Sequence, residues 1–207
     1  MIPVSPSKIV AVGRNYVEHA RELGNEVPAE PLLFFKPPSA LIGDGDTIRL
    51  PRVSQRIEFE AEIGVVIGRR AHRVSVDEAE GAIAGFTCLN DVTCRDLQKT
   101  DGQWGRAKGF DTFCPVGPRV ATDLDWRDLE VICRVNGVER QRGRSSAMQF
   151  SIPMLVAYIS GIMTLEPGDL IATGTPAGTA PLQEGDRVEV EIPGVGVLSN
   201  PVRNSEI

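Results

Sequence analysis

Acidic residues recur at every second position in Ile57-Glu58-Phe59-Glu60-Ala61-Glu62-Ile63. On an extended strand, side chains alternate between faces. Glu58, Glu60 and Glu62 therefore share one side, and Ile57, Phe59, Ala61 and Ile63 the other. Same-face neighbours lie roughly 7 Å apart, and like charges so placed raise one another's pKa. A solvated strand face would read the same way, but this row runs directly into the apolar Ile63–Ile67. A further acid, Asp91, follows an apolar stretch in Cys88-Leu89-Asn90-Asp91, where a strand end would set it at a cleft. An Asn-Asp turn is its plainer reading. Together with Glu60 and Glu62 it would complete an all-oxygen site, a donor set that favours Mg²⁺, Mn²⁺ or Ca²⁺ over zinc.

His19 and Glu22 are three apart on an expected first helix and so share a face. A carboxylate beside an imidazole fixes its tautomer and raises its basicity, which makes a general-base pair; a surface His beside a surface Glu is the alternative. The other histidine, His72, sits in a basic turn, RRAHR, and receives no role. The chain holds 18 Arg but only 4 Lys. Two of the lysines stand in apolar settings, Lys36 in Leu33-Phe34-Phe35-Lys36-Pro37 and Lys108 in Ala107-Lys108-Gly109-Phe110. An ammonium there needs an anion or loses its charge, unless it snorkels to water. Ala172-Thr173-Gly174-Thr175-Pro176 reads as a tight loop able to offer hydroxyls and amides to a carboxylate.

These groups need a scaffold. The 207 residues suffice for a real core, and residues 1–207 read as one catalytic domain without repeats or linkers. Gly and Pro are abundant, 21 and 15, which fits a turn-rich β fold better than a helical bundle. Strands are expected at Lys8–Val12, Leu170–Thr173 and Arg187–Ile192, with a two-residue hairpin turn at Asn136-Gly137. Helices are expected after Asn15 (as N-cap, with Gly24 at the end), over 76–84 behind a Ser75–Glu78 capping box, and from Ser151 with Pro153. The fold class is thus α+β and β-rich. A net charge of -6 argues against nucleic acid as partner. No apolar run is long enough for a membrane span, and no secretory signal is present, so a cytoplasmic location is expected. Cys88, Cys94, Cys114 and Cys133 have no metal spacing and read as reduced core thiols.

Taken in order, the segments VGRNYVEHARE, FFKPPSAL, EFEAEIGVVIG, LNDVTCRDLQ, AKGFDTFCPVGP, SSAMQFSIPMLVAYIS and LIATGTPAG resemble the fumarylacetoacetate hydrolase family. The resemblance implies a rolled mixed β-sheet core with a few outer helices, usually as a homodimer. It also implies a Mg²⁺ or Mn²⁺ ion held by Glu60, Glu62 and Asp91, with Glu58 outside the ligand set. The base pair falls on His19 and Glu22 and the active-site lysine on Lys108. Arg95 and Thr175 fall where the family holds the substrate carboxylate; Lys36 and Gln98 fall on site-lining positions. The chain looks like the short branch of the family, and its expected ligand is a small 2-oxo acid.

The first expectation for activity is C–C hydrolysis of an acylpyruvate such as fumarylpyruvate or acetylpyruvate, with His19 activating water and Lys108 stabilising a pyruvate enolate. The alternative is an oxaloacetate decarboxylase or a 2-hydroxyhepta-2,4-diene-1,7-dioate isomerase, since the same site serves a related enolate. A non-catalytic β-rich module with a structural Ca²⁺ is a reading of another class.

Overall fold

The computed structural model describes residues 2–22 and 24–205. Along the chain run β1 (Ile9–Gly13), α1 (Val17–Glu22), β2 (Leu32–Lys36), β3 (Leu41–Ile42), β4 (Ile48–Leu50), β5 (Ile57–Glu58) and β6 (Ala61–Ile67). There follow α2 (Val76–Ala79), β7 (Ile83–Asn90), β8 (Thr93–Cys94), α3 (Arg95–Thr100), α4 (Gly105–Lys108), β9 (Cys114–Ala121) and β10 (Glu130–Val135). The chain closes with β11 (Val138–Arg144), α5 (Ile152–Ile162), β12 (Leu170–Ala172), β13 (Arg187–Ile192) and β14 (Gly196–Asn204).

A seven-stranded sheet in the order β2-β1-β12-β6-β7-β9-β3 packs on a five-stranded sheet in the order β11-β10-β13-β14-β4, and β5 pairs with β8 apart from both. Three pairs, β1–β12, β3–β9 and β14–β4, are parallel; the others are antiparallel. The result is the expected α+β, strand-rich fold with a curled mixed sheet. Every residue of β6 is buried, because β6 lies between β12 and β7. Its odd positions, Ile63, Val65 and Ile67, face the main core, while Val66 joins a second cluster with Ile9, Leu89 and Leu170. Glu62 shares the parity of Val66, so the strand's own alternation lifts it out of the main core.

Local chemistry sets the other elements. Val188, Val190 and Ile192 are buried along β13, as the alternation of RVEVEI requires. Asn136 and Gly137, at φ +53 and +78, form the tight turn between β10 and β11. The capping box at Ser75 and Glu78 is present, but the α-helix it opens ends at Ala79 and continues only as a 3₁₀ turn, short of the expected 76–84. Gly24, at φ +68, donates to Arg21 O at 3.0 Å and ends α1 as expected.

Asn15 does not cap α1. Its Nδ2 donates to Phe150 O and Thr173 O, and its Oδ1 accepts from Phe150 N at 2.8 Å. It ties together three segments far apart in sequence. All four cysteines are free and buried. Burial pushes their thiols up, Cys94 to about 11 and Cys88 and Cys114 to about 12, with Cys133 raised as well. No helix among the described residues is long and apolar enough to cross a membrane.

The start of β12 is locked to the chain's beginning by Asp169. This fully buried residue accepts from the side chains of Lys8 and Ser7 and from the amides of Ser7, Lys8 and Glu166. Burial alone would raise its carboxyl, but the Lys8 ammonium and these donors outweigh burial and hold it below the usual range. A carboxyl depressed by folding adds stability above its unfolded pKa and loses it as pH falls through the folded value. Asp169→Asn is expected to cost about 2–4 kcal/mol at pH 7, a loss that shrinks below about pH 4. Urea unfolding at the two pH values checks this; equal losses at both would refute it.

Candidate active site

Seven of the ten expected site residues line one cavity of about 500 Å³. Glu60, Glu62, Arg95, Gln98, Lys108, Thr175 and His19 all line it. The acids arrive by an interrupted strand. Pairing stops after Glu58 and resumes at Ala61, so Phe59 and Glu60 lie outside the ladder. Glu60 N instead donates to Asn90 Oδ1 at 2.9 Å, and Asp91 N donates to Glu60 O at 2.8 Å. This local exchange folds the end of β7 against the acid row and brings Asp91 beside it. One carboxylate oxygen from each of Glu60, Glu62 and Asp91 lies within 4.8 Å of the other two, and all three residues are buried.

Cations from four places hold this cluster and the neighbouring Glu58. Lys108 Nζ, at the end of α4, lies 2.6 Å from both Glu60 Oε2 and Asp91 Oδ2 and is 4.9 Å from the Phe34 ring centroid. Arg95, which opens α3, places Nε 2.6 Å from Glu58 Oε2 and Nη1 2.9 Å from Gln98 Oε1. Its Nη2 is 2.6 Å from Glu60 Oε1 as an ion pair, without the alignment of a hydrogen bond. Arg56 Nε holds the other oxygen of Glu58 at 2.7 Å. Lys36 Nζ, behind the cluster, donates to Asp91 Oδ1 at 2.6 Å.

The three acids of the row do not simply raise one another. Burial would raise Glu58 and Glu60, but Arg95 and Arg56 outweigh it at Glu58, and Arg95 and Lys108 outweigh it at Glu60; both carboxyls sit below the usual range. Only Glu62 is raised, by burial and then by Asp91 and Glu60, against the opposing pull of Lys108 and the Gly174 N–H, which it accepts at 2.8 Å. Burial would lower Lys108, yet Asp91 and Glu60 hold it charged. The Glu62 contact needs a glycine. Gly174 sits at φ +98, and a Cβ there would lie 2.8 Å from Asn15 Cβ.

Glu62 is thus the acid with no cation of its own, and a set of three oxygen donors around it fits a divalent cation. Glu58, fully engaged by two arginines, does not belong to that set, as expected.

His19 and Glu22 do meet, as their spacing requires. His19 is buried on α1, with Nδ1 3.3 Å from Glu22 Oε2. Glu22 is half-exposed and also accepts from Gly178 N. Since Nδ1 faces Glu22, Nε2 is the nitrogen left for the cavity.

Two of the residues expected at substrate positions hold partners within the protein. Lys36 does not line the cavity; its three N–H groups go to Asp91, Val92 O and Lys108 O, so it positions Asp91 and the end of α4. The Thr175 hydroxyl donates to Ala61 O at 2.8 Å and accepts from Gln141 Nε2 at 2.8 Å. Its proton goes to the backbone in this structure, so the hydroxyl joins the loop to β6 at the edge of the cavity.

Other lining residues escaped sequence reasoning. Arg14 lay in plain view in GRN. Trp104 carried no local signal: it packs on Phe34 edge to face and on Gly13, where a Cβ would lie 2.9 Å from the indole.

The sequence model of the fumarylacetoacetate (FAA) hydrolase C-terminal family matches residues 8–203. The chain belongs to this family. A mitochondrial oxaloacetate decarboxylase of Dictyostelium discoideum is 43% identical over 195 residues, which cover 91% of this chain and 89% of that protein. A mitochondrial oxaloacetate tautomerase of Bos taurus is 41% identical over 215 residues, covering 98% and 68%. The crystal structure of 2-hydroxyhepta-2,4-diene-1,7-dioate isomerase from Mycobacterium marinum, 47% identical, superimposes with a TM-score of 0.92 over 100% of this chain and 78% of its own. This member of the fumarylacetoacetate hydrolase family therefore stands among relatives named for decarboxylation, tautomerisation and isomerisation.

Proposed function

We propose that this family member works through the enolate of a small 2-oxo acid, with oxaloacetate or a hydroxymuconate-like acid as substrate. The observation that carries the reading is the placement of His19 and Lys108 on one cavity, a base and a fixed cation beside the same three acids. The relatives named for oxaloacetate and heptadienedioate chemistry support this reading over acylpyruvate hydrolysis, which needs a water held against His19 as well.

A Mg²⁺ or Mn²⁺ ion held by Glu60, Glu62 and Asp91 would supply Lewis acidity toward the substrate's carboxylate and 2-oxo oxygens. The chain's own residues do the rest. Arg95, braced by Glu58 and Gln98 on the cavity wall, attracts the substrate carboxylate by its charge. His19 Nε2 takes a proton from C3, the C–H electron pair becomes the C2–C3 double bond, and the carbonyl pair moves onto O2. Lys108 uses two N–H groups on Glu60 and Asp91 and keeps the third for that developing charge. Return of the proton to O2 gives the enol. Loss of CO₂ from C4 instead sends the C3–C4 pair into the C2–C3 double bond and gives the enolate of pyruvate, with no proton removed first.

With saturating Mg²⁺ the protein is expected to accelerate keto–enol exchange of oxaloacetate, its decarboxylation, or both, above the rate with Mg²⁺ alone. Absorbance of the enol and release of CO₂ report the two. Acylpyruvate cleavage with neither oxaloacetate reaction would overturn the proposal in favour of hydrolysis. Silence in all assays would leave the non-catalytic module.

A further inference from the structure

The cavity carries more positive charge than its acids use. Five cationic side chains line it against three carboxylates, in a chain whose net charge is -6. Arg56, Arg95 and Lys108 are engaged by Glu58, Glu60 and Asp91. Arg14 and Lys99 are not: neither side chain has a hydrogen bond or ion pair with any described residue. The surplus is these two residues, one from the turn after β1 and one from α3.

Arg14 holds a backbone conformation that an arginine seldom adopts. Its φ is +58, in the left-handed region that glycine and asparagine enter far more readily. The neighbouring Asn15 fixes the turn through its bonds to Phe150 and Thr173. A turn that glycine would suit better therefore sets a half-buried arginine in the cavity wall. Strain of this kind persists where the surroundings impose it, and it gathers at ligand-binding positions. Beside Arg14 stand Gly13 and the Trp104 ring, an apolar wall against which a short carbon chain can lie.

We infer that Arg14 and Lys99 form a second anion subsite that receives the distal carboxylate of a dicarboxylate substrate. The inference rests on the 2-oxo acid reading of the inner site and adds to it the residues that hold the far carboxylate of such a diacid. The inner groups hold the 2-oxo head; the two free cations hold the far end. An unpaired guanidinium in a half-enclosed cleft is worth more to an anion than one in open water. Lys99 is exposed and contributes mainly long-range attraction, which salt screens.

The test uses a matched pair of unreactive acids, 2-oxoglutarate and 2-oxopentanoate, which differ only in the distal carboxylate. Their binding is measured by calorimetry in excess Mg²⁺. The diacid is expected to bind about 10–100-fold more tightly than the monoacid. Arg14→Asn keeps a residue at ease at φ +58 and should erase most of that preference while leaving the monoacid's Kd within about twofold. Lys99→Gln should lower it less, and added salt should shrink the Lys99 effect first. Thermal melting confirms that both variants fold. Equal binding of the two acids, or an Arg14→Asn loss shared equally by both, overturns the subsite and spares the inner site. If neither acid binds, the 2-oxo acid reading falls and the subsite with it. If the preference holds but no 2-oxo acid is turned over, only the catalytic reading fails.

Discussion

Lys108→Met is expected to yield a protein that is markedly less stable in chelator, regains stability with a divalent cation, and turns over poorly in either state. The ammonium is 2.6 Å from two of the clustered carboxylates and almost wholly buried. Methionine fills similar space without charge. Removing one partner of a buried ion pair costs about 3–5 kcal/mol, because the other partner is left uncompensated. For a domain of this size that is a fall in Tm of roughly 10 °C. A cation bound by Glu60, Glu62 and Asp91 compensates the same carboxylates and stabilises by mass action. Mg²⁺ should therefore raise the variant's Tm by more than the parent's. Loss of the donor aimed at the enolate should cut kcat by about 10²–10³-fold even with Mg²⁺ present. Melting curves of parent and variant, each with chelator and with Mg²⁺, decide the matter. A variant that melts within two or three degrees of the parent in chelator, or that gains no extra stability from Mg²⁺, would show that Lys108 does not balance the acids.

His19→Ala separates two reactions that each pass through an enolate. Keto–enol exchange must move a C3 proton, whereas decarboxylation creates the enolate of pyruvate by losing CO₂. General-base catalysis is typically worth 10²–10⁴-fold. The variant should lose about that factor in oxaloacetate exchange and distinctly less in CO₂ release, both read as kcat at saturating Mg²⁺. Any acylpyruvate hydrolysis, which needs an activated water, should fall with the exchange. Unchanged exchange would remove His19 from the chemistry. Equal loss of exchange and CO₂ release would mean that His19 positions substrate and is not chiefly a base.

Much of the site could be read before the fold was known, because its signals are local. A cation in an apolar segment demands an anion, and both Lys36 and Lys108 have one. The acids Glu60, Glu62 and Asp91 do gather, and β13 and the Asn136–Gly137 turn lie where the pattern places them. What failed was whatever depended on closure of the chain. Period-two spacing implies one continuous strand through Glu58, Glu60 and Glu62, yet Asn90 takes the Glu60 amide and breaks it. Asn15 has the composition of a helix cap, but Phe150 and Thr173 compete for its amide and win. Lys36 and Thr175 fall on substrate positions by resemblance, yet distant groups of the protein take their protons in this structure. Like charges were expected to raise each other; Arg95 and Lys108, brought from 30 to 50 positions away, reverse the sign at Glu60. Spacing along a chain identifies the groups that want partners, and only the tertiary contacts say which partner each obtains.

The four buried thiols make the folded protein a silent target for alkylating reagents. Reaction needs the thiolate, and burial withholds it at Cys88, Cys94, Cys114 and Cys133 alike. Labelling therefore waits for opening, and its rate keeps time for the motion that exposes each sulfur. The cysteines fall on β7, β8, β9 and β10, so the seven-stranded sheet, the five-stranded sheet and the small β5–β8 pair each carry at least one reporter. Cys88 Sγ reaches across to Gly196 O on the facing sheet at 3.5 Å. If the two sheets part as a unit, Cys88 and Cys133 acquire label in step. If the five-stranded sheet peels away first, mass spectrometry of short labelling pulses finds Cys133 modified while Cys114 is still dark.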